Sequence, residues 1–230
     1  MQPLRLEVKK HVLHQHALTL FITTGKLPMV MNETMKDRLT AATLSALEEH
    51  KGVQGIRLRG IAKAAGCSHV NAYNYVDGLP GLLWLAYIKA LEAFTATCFE
   101  KTSRRRRDEN YGESLARAMT GFALTREGLY RLLWFEALGG EPAGEALAAI
   151  TRSKTVFAAS TLEAFREDGL EASEEVLEER LDMLFAYLQG ELALLINGRL
   201  GQDKAAAGKS VVDRTGRMWR LLTETTQQKR

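Results

Sequence analysis

Apolar positions recur at helical spacing along most of the chain. Between Arg57 and Leu83, Leu58, Ile61, Ala62 and Ala65 fall at i, i+3, i+4 and i+7, one face of a helix. Gly66 follows where a helix C′ residue adopts a left-handed backbone, and Cys67 can plug the angle between two helices. Ser68 stands as an N-cap before a second short helix reaching Val76. Its apolar side is Val70, Tyr73 and Val76, and it turns His69, Asn71 and Asn74 outward. Two short helices meeting steeply across a few residues with a glycine form a helix-turn-helix.

The same pattern predicts helices on both sides. Met35 to Lys51 carries a stripe of Leu39, Ala42, Thr43, Ala46 and Leu47, ended by Gly52. After the Asp77-Gly78 turn, Pro80 falls in the first turn of a long helix from about Leu79 to Thr102, where its missing N–H costs little. At 1.5 Å per residue that helix spans about 36 Å, enough to join a small head to a separate body as a lever. Further helices are predicted over 111–124, 126–138, 142–168, 172–200 and 209–225. On the penultimate one, Leu177, Leu181, Leu184, Leu188, Leu192 and Leu195 make a continuous seam. With Val211, Met218 and Trp219 of the last helix, this seam can serve a dimer interface; an intrachain core uses the same pattern.

Residues 1–34 do not share the periodicity. Leu18 to Thr23 would read as a lone strand, and Met29, Met31 and Met35 offer later starts. The extension is either a mis-assigned start or an ordered arm that sets Arg5, Lys9 and Lys10 against phosphate. His11, His14 and His16 have no further Cys, Asp or His nearby to complete a metal site.

Composition narrows the classes. With 46% hydrophobic residues, 26% charged and 4 prolines in 230, the chain reads as an all-α globular protein. A net charge of +3 says little, but its distribution says more. His50 to Val76 contains no acid and holds Lys51, Arg57, Arg59 and Lys63, whereas Glu163 to Asp182 holds nine acids against Arg166 and Arg180. That is a local nucleic-acid footprint at the front of the chain. Arg104 to Arg107 invite the same reading, but the lever places them at its far end, as a solvated loop. Cys67 and Cys98 read as reduced core thiols of a cytoplasmic protein. No apolar run is judged to reach a membrane span, and no signal peptide is read. No nucleophile–base pair, metal spacing or phosphate loop argues for an enzyme, and no cofactor or metal is expected.

Ile61-Ala62-Lys63-Ala64-Ala65-Gly66-Cys67-Ser68, then Tyr73-Asn74-Tyr75-Val76 and Leu82-Leu83, resemble the DNA-binding domain of the TetR/AcrR family of bacterial transcriptional regulators. Leu124 to Leu133 weakly resembles the start of one ligand-domain subtype of that family. The resemblance implies a helix-turn-helix head over 35–83 and an effector-binding and dimerisation domain over 84–230. It further implies a homodimer formed by helices about 172–200 and 209–225, bound to a pseudo-palindromic operator in double-stranded DNA. A small-molecule effector would release that operator, as from a repressor. A variant of the same fold answers to a protein partner or to no ligand.

By this resemblance the reading helix is His69–Val76, with Ser68, His69, Asn71, Tyr73, Asn74 and Tyr75 at DNA-contacting positions. The chemistry agrees: Asn71 can read adenine bidentately, while Tyr75 and the N-cap Ser68 suit phosphate. Tyr73 is divided between contact and core, and Arg59 and Lys63 on the preceding helix can reach phosphate. Arg57 stands where the family usually caps with Thr or Ser, and Gly60 where it usually has an acid; each departure costs on the order of 1 kcal/mol. Asp77 and Leu79 replace usual lysines, so one phosphate clamp is missing: either Arg57 compensates or the affinity for DNA is modest. In the body, Phe94, Phe122, Trp134, Phe135, Phe157 and Phe185 are core residues that can also line an effector cavity. Glu136, an acid within LLWFEAL, either meets a cationic or hydroxylated ligand or lies on an exposed face.

Overall fold

Nine α-helices and no strand occupy the described residues of the computed structural model, which are 33–139, 142, 144–201 and 203–224. They belong to one packed unit, Met35–Arg230. The expectations for the extension, its start and its histidines lie outside the described residues.

The helices are α1 Met35–His50, α2 Leu58–Ala64, α3 His69–Ala72, α4 Gly78–Ser103 and α5 Tyr111–Thr125. They continue with α6 Glu127–Trp134, α7 Glu145–Glu167, α8 Glu174–Ile196 and α9 Lys204–Glu224. In α1, Leu39, Thr43 and Leu47 point inward, and the Thr43 hydroxyl returns to the Leu39 carbonyl at 2.8 Å. That bond is what lets a threonine sit in the core without an unpaired polar atom. The helix stops as predicted, at Lys51 (φ 54°) and Gly52 (φ 147°).

The 26 residues of α4 run about 39 Å. An 18-residue window within it, of mean hydropathy 1.3, is apolar enough by composition to cross a membrane, contrary to the sequence expectation. Here those side chains are used internally: Leu82, Leu83, Ala86, Ala90, Phe94 and Cys98 are all buried against neighbouring helices. The four arginines lie past its C-terminus, away from α2 and α3. Arg104 bonds Glu100 and Arg105 bonds Glu167, each at 2.8 Å, so the run is partly spent on ion pairs of the trunk.

The trunk is built from helices that approach closely. At Gly112 in α5 an added Cβ would sit 2.6 Å from the Trp219 Cβ, so only glycine admits α9 at this distance. Trp219 stacks on Phe165 at 4.4 Å between centroids and donates its indole N–H to Asp168 at 2.6 Å. A capping box at Asn110 and Glu113 fixes the start of α5.

Two expectations change. α6 ends at Trp134 rather than continuing to residue 138, because the backbone leaves helical geometry at Phe135. The leucine seam of α8 is also largely internal: Leu177, Leu184, Leu188, Leu192 and Leu195 are buried within the chain, as are Val211 and Trp219 of α9. One periodicity serves either interface, and these residues belong to the core. The large apolar residues left exposed on these two helices are Met183 and Leu194 on α8 and Leu221 on α9.

α6 also joins the end of α1 to α8 and α9. Gly128 packs so closely under the end of α1 that a Cβ would overlap the Leu47 carbonyl. Beside it, Arg126 donates to Glu48 at 2.7 Å, and Glu127 accepts from Lys204 of α9 at 2.8 Å. Arg131 reaches Glu127 at 3.1 Å and the Ile196 carbonyl of α8 at 3.4 Å.

Candidate nucleic-acid interface

The turn between α2 and α3 is made by backbone geometry that the sequence specifies. Gly66 adopts φ 77°. The Cys67 N–H bonds the Ala62 carbonyl at 2.9 Å, and the Gly66 N–H bonds the Lys63 carbonyl at 3.1 Å. These two bonds form a Schellman motif that satisfies the last carbonyls of α2 and redirects the chain. Ser68 then caps α3, its hydroxyl accepting from the Asn71 N–H at 3.1 Å. Past Ala72 the chain tightens into successive turns, with Asn74 N–H on the Asn71 carbonyl and Tyr75 N–H on the Ala72 carbonyl. The regular helix is therefore His69–Ala72, shorter than the 68–76 predicted.

That shortening changes which side faces out. Ala72 and Val76 fill the inward positions, whereas Val70 is 68% exposed and Tyr73 60%. The expected apolar face was read from the larger side chains, but the buried position on α3 is the small Ala72. Tyr73 is thus not core; its ring meets His69 edge-on at 6.4 Å on the outer surface. Asn74 and Tyr75 are exposed there too. Asn71 is half-buried, and its Oδ1 accepts from Asn74 Nδ2 at 3.0 Å. This bond orients the amide while leaving its own N–H2 and one oxygen lone pair open, the donor and acceptor that adenine requires.

A collar of cations surrounds this surface. Arg57, Arg59 and Lys63 are exposed, and none makes an ion pair among the described residues. Arg57 is the N-cap residue of α2 and makes no side-chain cap bond, as its replacement of a hydroxyl residue implies. Arg38 of α1 joins the collar: its guanidinium lies 3.7 Å from where a Cβ on Gly66 would be. Sequence reasoning missed Arg38, since nothing in one-dimensional spacing links the first turn of α1 to the turn before α3. It also missed Val70, because an exposed valine looks like a core valine on paper. Asp77 precedes α4, exposed and without a cap bond.

The candidate effector residues divide into three groups. Phe94 is the hub of an aromatic cluster, with Phe122, Phe157 and Trp134 at 5.3, 5.7 and 5.9 Å and Phe185 against Trp134 at 5.6 Å. Tyr130 completes it, donating its hydroxyl to Gln189 Oε1 at 2.8 Å; burial pushes that phenol up, so it stays a neutral donor. The indole N–H of Trp134 and the amide N–H2 of Gln189 are buried without a partner among the described residues. Phe135 lies outside, exposed, edge-on to Tyr130. Glu136 stands apart from the cluster: its carboxylate sits over Gly52, just past the end of α1, and accepts from the Val53 N–H at 3.4 Å. The void beside Cys98, Tyr111 and Phe157 has a volume of about 10 Å³, room for one water at most. Burial raises the pKa of the Cys98 thiol, in keeping with an inert core cysteine.

No family model matches the chain, and no curated relative does. Solved structures do. A protein of unknown function from Rhodococcus sp. RHA1 is 21% identical with a TM-score of 0.67, covering 86% of this chain and 100% of its own. A candidate transcriptional regulator from Pseudomonas aeruginosa PAO1 is 18% identical with a TM-score of 0.58, covering 85% and 93%. A TetR family transcription regulator from Marinobacter aquaeolei VT8 is 18% identical with a TM-score of 0.53, covering 80% and 94%. At such identities the likeness is one of architecture, and it agrees with the helix-turn-helix motif quoted above: the chain has the TetR-type fold.

Proposed function

We propose that this chain is a DNA-binding transcriptional regulator, a repressor that acts as a homodimer on a pseudo-palindromic operator and leaves it when a small molecule binds the trunk. The observation that carries this reading is the outward surface of α3. The capped helix presents His69 and Val70 to solvent, and the turns after it present Tyr73, Asn74 and Tyr75, above an acid-free stretch with Arg57, Arg59 and Lys63 around it. An exposed valine and two exposed tyrosines on a protein surface need a use, and base edges with flanking phosphates supply one. Ser68 and Tyr75 serve as phosphate clamps, Asn71 and Asn74 as base readers, and Val70 as an apolar contact for a thymine methyl.

Dimerisation is assigned to α8 and α9, through the exposed α8 stripe Met183, Ala186, Gly190 and Leu194 and the exposed Leu221 of α9, rather than through the buried leucines. Gly190 leaves open space where a Cβ would be, which permits close helix approach there. The effector chamber is assigned to the cluster around Phe94, whose two unpartnered donors suit an apolar or aromatic molecule with a hydrogen-bond acceptor. The protein works in the bacterial cytoplasm in this reading.

A gel shift with the DNA upstream of its own gene tests it, first at low salt and then with candidate ligands. Specific retardation that falls steeply with salt is expected. No binding at low salt refutes the reading. Binding that no small molecule relieves replaces the effector with a protein partner.

A further inference from the structure

Three helices from different parts of the molecule turn matching faces toward one space. On α1 the face is Asp37, Thr40, Ala41 and Leu44, and on α4 it is Leu85, Ile88, Lys89 and Glu92. Both sets fall at i, i+3, i+4 and i+7, and α7 adds Glu145, Ala148 and Arg152. Between them lies an open trough of about 630 Å³, within the range of small-molecule sites. It is separate from the aromatic cluster around Phe94.

The lining states what kind of molecule fits. Leu44, Leu85 and Ile88 are half-buried against the core and form an apolar wall, while Ala41 and Ala148 leave room beside it. The charges are unevenly committed. Lys89 and Glu92 pair with each other at 3.0 Å, both about half exposed, and so neutralise their part of the rim. Asp37 is already engaged. Lys36 and Arg152 make no ion pair among the described residues. Against these two cations stands Glu145, in the first turn of α7, where the helix N-terminus already favours an acid. Outside the Lys89–Glu92 pair and Asp37, two cations stand against one acid beside an apolar wall.

We propose that this trough is a binding site for an organic anion with an apolar body, such as an alkyl or aryl carboxylate. Its carboxylate is held by Arg152 and Lys36, and its body lies on Leu44, Leu85 and Ile88. An arginine fork matches a carboxylate bidentately and makes such a pair directional. An occupant of the trough touches α1, α4 and α7 at once. The site does not depend on the operator-binding reading, and its test uses the free protein without DNA.

The test is calorimetric titration of the full chain with sodium decanoate and with 2-naphthoate, each matched by a cationic control, decylamine or 2-naphthylmethylamine. Saturable binding of at least one anion, roughly tenfold tighter than its amine, is expected from a charge-assisted contact. The double variant Lys36→Glu with Arg152→Glu should weaken it by at least roughly the same factor while the thermal melt stays put, since both side chains are exposed. Ala148→Trp, which fills the trough, should block it as well. No saturable binding of either anion, equal binding of the amines, or binding that survives the double charge reversal overturns the proposal.

Discussion

α3 and α6 are both too short to persist alone in water, at four and eight residues, yet the chain stabilises them by opposite means. α3 is held at its N-terminal end, by the Ser68 cap and the Schellman turn before it, and apart from the buried Ala72 its side chains are free to face outward. α6 is held from its sides: Gly128, Leu129, Tyr130, Leu132 and Leu133 are all buried, and Glu127 and Arg131 are tied to α8 and α9. A helix fixed at one end can change its exposed side chains without changing the fold. A helix fixed along its sides cannot.

That contrast can be broken most severely at Gly128. Its replacement by Val puts a branched side chain where the Leu47 carbonyl lies, and backbone cannot repack as a side chain does. A loss of about 3 kcal/mol or more is expected, seen as a large drop in thermal midpoint or as insoluble protein. A variant that melts like the parent would show that α6 does not seat the head.

The outward face of α3 should show the reverse pattern. Asn71→Ala is expected to cost about 1–3 kcal/mol of discrimination between operator sequences, with a melt close to that of the parent. Val70→Ala should lower affinity only for sites carrying thymine under it. Arg59→Ala should weaken all sequences alike and flatten the salt dependence. Competition gel shifts with base-substituted operators separate the three, and an exchange of behaviour between Asn71 and Arg59 would reverse their assigned roles.

The smallest effect sharpens the tie at the start of α6. Burial disfavours the Glu127 carboxylate, but hydrogen bonds and charge from Lys204 and Arg131 outweigh it and hold its pKa below the ordinary value. A carboxylate whose folded pKa is lowered stabilises the fold above the ordinary Glu range and loses that contribution as the pH falls through the lowered value. Glu127→Gln should therefore lower stability near neutral pH and flatten its decline on acidification. Denaturant midpoints measured at neutral pH and at successively lower pH test this, and an unchanged acid slope would count against the tie.

Much of this was readable from residue order. The Gly66 turn, the Ser68 cap and the long α4 follow from local chemistry that acts within a few residues, so the sequence reading finds all three. What stayed hidden depends on distance in space. The buried position of α3 falls to the small Ala72 and leaves Val70 outside, which a ranking by hydrophobicity does not foresee. Glu136 could be recognised as an acid among large apolar residues, but not as the acceptor for a backbone N–H 83 positions away. The α8 leucines carry a seam that two different partners would write identically, and only the packing of α9 distinguishes them.

Gly128 beneath Leu47 also sets a limit on protein engineering. A helix-turn-helix near the front of a chain invites its exchange for another, and a cut near residue 83 would fall in α4. Here such a graft would separate the end of α1 from the helix that receives it, leaving Glu48 without Arg126 and the Val53 N–H without Glu136. A transplant that keeps this molecule's trunk must bring an incoming first helix whose last turn lies flat against a glycine. One that keeps this molecule's head must carry α6 along with it, across more than forty intervening residues that belong to the trunk.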